Sequence, residues 1–212
     1  MRALRKGPVP HILLTTGQRR RDEYVAAHNR GDRPLPTPWR HDQIREGLED
    51  ETSGRCAYCD GDIHSIAFGD IEHIRPRAAF PEYVVDWENL TLACPKCNNS
   101  KRDKWDENLP YISPYDDEIN DHIVFVGPFL RGVSARGMKT VLDVDLNDLA
   151  KAEARQRQID SVVSLYAHWF QADATAKEVH RAQIIMFLAT TPYYASVAAF
   201  LRSVGFPLSV AV

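Results

Sequence analysis

The sequence has no uninterrupted run of ~18 apolar residues, which excludes a membrane-spanning helix of the usual kind. Its opening stretch, MRALRKGPVPHILLTTGQ, has charge, only a short apolar patch and no small-residue cleavage site. It does not read as a signal peptide, and a cytoplasmic location is the expectation. Internal repeats and low-complexity tracts are missing. A large excess of either charge is also missing: 26 Lys/Arg stand against 29 Asp/Glu, and the net value of -3 does not advertise nucleic-acid binding. Cysteine is rare, with 4 in 212 residues, and none lies outside the pairs Cys56/Cys59 and Cys94/Cys97. In a reducing compartment, paired C-x-x-C points to metal more than to disulfides.

What is present is enough for a core. Hydrophobic residues make up 44% of the chain, and no polar tract argues for disorder. The charges are unevenly spread. Residues 1–40 carry 9 Lys/Arg against 3 Asp/Glu, and residues 106–150 carry 3 against 9. A basic arm could meet phosphate and an acidic segment a basic partner, although most charge runs are solvated surface.

Four segments follow. Residues 1–50 read as a basic, Pro/Gly/Arg-rich extended arm ending in a short helix over 41–55, stopped by Gly54. Residues 51–105 bear the motifs. Residues 106–146 read as an irregular connector with a hairpin from His122 through Gly127-Pro128 to Arg131. Residues 147–212 read as a helical subdomain. Apolar residues recur at helical spacing from Leu149 to Phe170 and from Val179 to Leu188. Thr191-Pro192 would open a third helix, ended by Gly205 and Pro207.

Cys56, Cys59, Cys94 and Cys97 supply four thiolates on two tight turns, a closed tetrahedral set suited to structural zinc. The 34 residues between the pairs exceed zinc-ribbon spacing, so the metal would clamp the base of a longer insertion. With every position taken by sulfur, that metal has no open site for catalysis.

The insertion reads Gly69-Asp-Ile-Glu-His-Ile-Arg-Pro-Arg77, a loop, Trp87-Glu-Asn-Leu-Thr-Leu-Ala-Cys94, then Pro95 to Trp105 with Lys and Arg at close spacing. The order is strand, loop, strand, short basic helix. Phosphodiester hydrolysis needs a base, a hard cation on oxygen ligands, and cationic groups for the backbone. His73 suits the base, being neutral near pH 7. Glu72 is its neighbour, yet in a regular strand it would face the other way. Asn98 offers an amide oxygen from the helix start. Arg75, Lys101, Arg102 and Lys104 are candidate phosphate contacts. His11, His41, His64 and His122 read as structural or surface residues, and Asp60, Asp62 and Asp70 as turn residues.

From Arg55 to Trp105, the two C-x-x-C pairs, Glu72-His73-Ile-x-Pro, Asn89-Leu90 and C-x-x-C-N-x-x-K together resemble the HNH, or ββα-metal, endonucleases. The resemblance implies a ββα-metal module with structural zinc; with the N-terminal extended arm and the C-terminal helical subdomain read from composition and periodicity, the expected fold is α+β. It implies His73 as general base, Glu72 and Asn98 as ligands of a catalytic Mg²⁺ or Mn²⁺, and Asn89 as the brace that aims the base. Glu stands where Asp is common before the base, and Asn98 where the signature often ends in His. Flanking stretches such as Ile112-Ser-Pro-Tyr-Asp-Asp117 and Leu142 to Asn147 resemble the PtuB-type HNH subunits of Septu and retron-associated anti-phage systems. That likeness implies an ABC-type, PtuA-like ATPase as partner, and DNA is the leading expectation for the substrate. Two other functions stay open: a non-enzymatic zinc module binding nucleic acid or protein, and an RNase-type toxin on the same scaffold.

Overall fold

The computed structural model describes residues 1–64 and 69–208. The first helix, α1 (His11–Arg30), corrects the expectation of an extended arm. Its helix breakers sit at its boundaries. Pro10 precedes the first turn, and Gly31 closes the last with φ 76, the left-handed cap that glycine favours. The helix buries Leu13, Tyr24 and Ala27. The ten residues before it are extended but tied down. Leu4 N–H donates to Pro114 O at 2.7 Å, and Gly7 N–H to the Glu51 carboxylate at 2.8 Å. Lys6 donates to Leu90 O at 2.6 Å and pairs with Glu51 at 3.2 Å, and Arg2 pairs with Asp60 at 3.3 Å. These two cations are thus spent internally and are not free for a phosphate backbone.

Helix α2 (Asp42–Thr52) starts where expected. The His41 side chain accepts the Gln43 N–H, and Ile44, Leu48 and Thr52 are buried. The motif-bearing stretch then gives strand β1 (Asp70–His73), strand β2 (Leu90–Ala93) and helix α3 (Pro95–Lys101). The strands are antiparallel, with Glu72 opposite Thr91 and His73 opposite Leu90. Every residue of β2 is buried, and α3 packs on β1.

The connector contains the expected hairpin, β3 (Ile123–Val126) and β4 (Phe129–Gly132), joined through Gly127-Pro128. It also contains a helix absent from the sequence expectation of an irregular connector, α4 (Ala135–Asp143). Its Met138, Val141 and Leu142 do recur at helical spacing, although Met138 and Leu142 are exposed and Gly137 is internal. Gly137 is required for space: a Cβ there would lie 2.0 Å from the His122 carbonyl oxygen, where the helix crosses the hairpin.

The helical segment holds α5 (Leu149–Gln171), α6 (Ala174–Thr190) and α7 (Tyr194–Ser203). The third helix begins after Thr191-Pro192, not on it, because Thr191 caps α6 and Tyr193 takes a left-handed conformation. Ser209 to Val212, the end of the expected helical subdomain, lie outside the described residues. One hydrophobic core runs from Met1 through Leu146 and unites the first three segments; a second joins α5, α6 and α7 around Val162, Ile184 and Val197. The buried Arg155 of α5 bridges the two regions by donating to Pro128 O at 2.6 Å and to Leu146 O.

Gly137→Ala is expected to lower stability by ~1–3 kcal/mol, the range for forcing atoms into a filled site. Urea unfolding would measure it, and an unchanged midpoint would refute the close crossing.

Candidate active site and metal centre

The two C-x-x-C turns meet. The thiols of Cys56, Cys59, Cys94 and Cys97 lie within 4.8 Å of one another and all are buried. Cys59 and Cys94 sulfurs are 3.9 Å apart. Tetrahedral zinc with bonds of about 2.3 Å requires sulfurs separated by ~3.8 Å, so the donor set fits zinc in kind and spacing. Cys94 is the N-cap of α3 and Cys97 lies in its first turn, after Pro95. Hydrogen bonds from neighbouring thiols pull Cys94 well down, while burial pushes Cys56 up. Four buried thiols cannot all ionise together without a cation, and a divalent ion removes that conflict.

The knuckle also touches the helical region. Tyr193 N–H donates to Asp60 O at 2.9 Å. A Cβ on Gly61 would lie 2.7 Å from the Tyr193 hydroxyl and 3.3 Å from the Cys59 sulfur. Asp60 is a left-handed turn residue as expected, with φ 64, yet it is buried and holds Arg2. That internal role was not legible in the sequence.

His73 sits at the end of β1, 2% exposed. Its Nε2 is 2.9 Å from the Val84 carbonyl oxygen. A carbonyl only accepts, so Nε2 carries the proton and Nδ1 presents a lone pair. Nδ1 has no hydrogen-bond partner among the described residues. Burial holds the imidazole down at about 4, with smaller contributions from Arg77 and Lys101, so the ring is neutral at physiological pH. Trp39 stands edge-on at 4.8 Å and is itself backed by Tyr24 of α1 at 5.9 Å. The N-terminal segment therefore walls this histidine. The packing was invisible in the sequence, because nothing near Trp39 marks it as a neighbour.

Asn89 ends the 3-10 turn Trp87–Asn89. Its side chain accepts the Arg75 N–H at 2.8 Å and donates to Arg75 O and Tyr83 O, each at 3.2 Å. It thereby ties together the two ends of the loop that follows His73.

The strand is regular, so Asp70 and Glu72 share the face opposite His73 and turn toward α3. Asn98 donates from Nδ2 to Asp70 at 2.9 Å. Its Oδ1 makes no polar contact among the described residues. Glu72 is instead paired with Lys101 at 2.7 Å, both buried, and Lys101 also donates to His73 O at 2.9 Å. Burial pushes the Glu72 carboxyl up, against the pull of Lys101. Two expectations change. Lys101 is 0% exposed and cannot meet a phosphate as it stands. Asp70 is a strand residue beside Asn98, not a turn residue. Its two-residue spacing from Glu72 is the signal that could have placed it there.

Arg75, Arg102 and Lys104 are exposed. Arg75 lies over the Tyr83 ring at 5.2 Å, and Arg102 donates to Asn99 O at 3.0 Å. His41 and His122 are structural: one caps α2, and the other meets the Ser134 hydroxyl at 2.7 Å.

A family model described as HNH endonuclease matches residues 56–104, so the chain carries an HNH endonuclease domain over the thiol cluster and the β1–β2–α3 unit. The chain is also similar to the Septu protein PtuB of Bacillus thuringiensis. They are 30% identical over 112 residues, covering 52% of this chain and 44% of the relative. It is similar as well to the Septu protein PtuB of Bacillus mycoides (strain KBAB4), at 22% over 117 residues, covering 41% and 40%. The matches thus span less than half of each relative's length. No helix among the described residues is long and apolar enough to cross a membrane.

The thiol cluster predicts one tightly held metal ion per chain. Cys97→Ser should lose most of it and unfold at lower temperature, with metal content read by plasma mass spectrometry. Full metal content in that variant would contradict a four-sulfur site.

Proposed function

We propose that this chain is a metal-dependent endonuclease that hydrolyses DNA phosphodiester bonds as the effector of an anti-phage defence complex. The observation that carries the reading is the state of His73. Its Nε2 proton is committed to the Val84 carbonyl, its ring is neutral, and its Nδ1 lone pair is free. Nδ1 takes the proton from water as that water attacks phosphorus, a step that requires the site to open on substrate, since Nδ1 is buried and His73 is 2% exposed. The Asn89 hydrogen bonds hold the loop that fixes the histidine's surroundings.

Asp70, Glu72 and the free Oδ1 of Asn98 form a hard oxygen-donor set that suits Mg²⁺ or Mn²⁺. When bound, such a cation supplies charge stabilisation at the leaving oxygen. Asp70 and Asn98 are the pair already in contact. Glu72 reaches a cation only by sharing its carboxylate with Lys101. Exposed Arg75, Arg102 and Lys104 hold the phosphate backbone.

The similarity to Septu PtuB proteins supports the defence role. It also supports assembly with a PtuA-like ATPase. The acidic 106–150 segment exposes Phe129, Met138, Leu142 and Leu149, a mixed acidic and apolar surface suited to such a partner.

Two variants test the reading on supercoiled plasmid with Mn²⁺, and a third tests the buried ion pair by urea unfolding. His73→Ala should lower cleavage by ~10²–10⁴-fold while keeping the thiol-bound metal. Asp70→Asn should raise the Mn²⁺ requirement by about tenfold or more. Glu72→Gln should cost stability by ~3–5 kcal/mol, because Lys101 is left buried and unpaired. Undiminished cleavage by His73→Ala would remove the nuclease assignment.

A further inference from the structure

A large cavity lies away from the hydrolytic residues, between the N-terminal residues, the stretch 118–120 with Phe125 of β3, and helices α6 and α7. It encloses about 660 Å³, within the ~300–1,000 Å³ that small-ligand sites occupy. None of His73, Asp70, Glu72 or Asn98 lines it.

Its chemistry is divided. Ile185, Leu188 and Tyr194 contribute an apolar and aromatic wall. Arg2, Arg55, Arg181 and Arg202 contribute guanidinium groups, against the single acid Glu118 among the described residues. Arg2 is held by Asp60, and Arg55 donates to Thr190 O at 2.9 Å. Arg181 and Arg202 make no ion pair or hydrogen bond among the described residues. In a chain whose net charge is -3, uncompensated arginines at the mouth of a partly apolar cavity form a local anion site.

A flat apolar group bearing phosphate matches both halves. Guanidinium forks bind phosphate bidentately, while an aromatic wall takes a base face. Inorganic phosphate would use only one half. We infer that this cavity between the first domain core and helices α6 and α7 binds a free nucleotide, its phosphates on Arg181 and Arg202 and its base against Tyr194. The cavity contacts both cores, through Ile119 and Phe125 on one side and Ile185 and Leu188 on the other. A bound nucleotide would therefore bridge the HNH-bearing region and the helical region.

Calorimetry on the full chain carrying His73→Ala, in Mg²⁺-free buffer, separates this site from hydrolysis and holds even if the nuclease reading fails. The probes are ATP, GTP, inorganic triphosphate and a single-stranded dT oligonucleotide. At least one nucleotide should bind saturably, about tenfold or more tighter than triphosphate. Adding Arg181→Ala and Arg202→Ala should weaken it by about tenfold or more, with an unchanged melting temperature. Absence of nucleotide binding, or binding indifferent to the two substitutions, would overturn the proposal. Equal affinity for triphosphate would reduce the site to an anion patch. Tighter binding of the oligonucleotide at the same arginines would make strand, not free nucleotide, the ligand. Either result also overturns it.

Discussion

Convergence of four buried thiols is the constraint on which the rest depends. It joins two cysteine pairs with 34 residues between them and brings the turn at Cys56 against the start of α3. Between those points the chain must go out and return, and β1 and β2 are that excursion. Because α3 starts at Cys94, Asn98 and Lys101 are delivered one and two turns later to the face of β1 that bears Asp70 and Glu72. The same knuckle, through Asp60 and Gly61, receives Tyr193 at the start of α7. A metal bound here would order the candidate site on β1 and α3 and the helical region at once.

Around that frame the site divides its polar work between two faces of one short strand. His73 faces a dry wall of Trp39 and the Val84 carbonyl, which sets its tautomer and keeps it neutral. Asp70 and Glu72 face α3, where an amide and a buried ammonium meet them. A buried ion pair such as Glu72–Lys101 is weak evidence for net stability, but removing either member leaves a buried charge. Lys101 also donates to the carbonyl of His73 itself, so the pair fixes the strand end from which the histidine projects.

Much of the site was legible because its signals are local and categorical. Cysteine pairs, a strand ending in Glu-His, and a helix opening on Pro after Cys each carry their own chemistry. The strand, loop, strand, helix order followed from them. What was illegible depends on distant partners. Whether Lys101 meets a phosphate or a carboxylate cannot be read from a run of basic residues; burial decides it. Asp70 looked like punctuation after Gly69, and only the regular ladder put it beside Asn98. Residues 11–30 looked like an arm because Pro, Gly and Arg dominate the composition around them, although Pro10 and Gly31 stand where a helix begins and ends. Helix α4 was missed although its apolar residues fall at helical spacing, and its Gly137 is there to let the hairpin pass.

The central claim is a separation of duties: sulfur holds a closed structural metal, and oxygen ligands elsewhere serve hydrolysis. X-ray absorption at the zinc edge, before and after adding Mn²⁺, tests it most directly. Four sulfur neighbours at about 2.3 Å, no oxygen or nitrogen in the shell, and an unchanged spectrum with Mn²⁺ are predicted. An oxygen or nitrogen ligand on zinc, or displacement of zinc by the added ion, would contradict it.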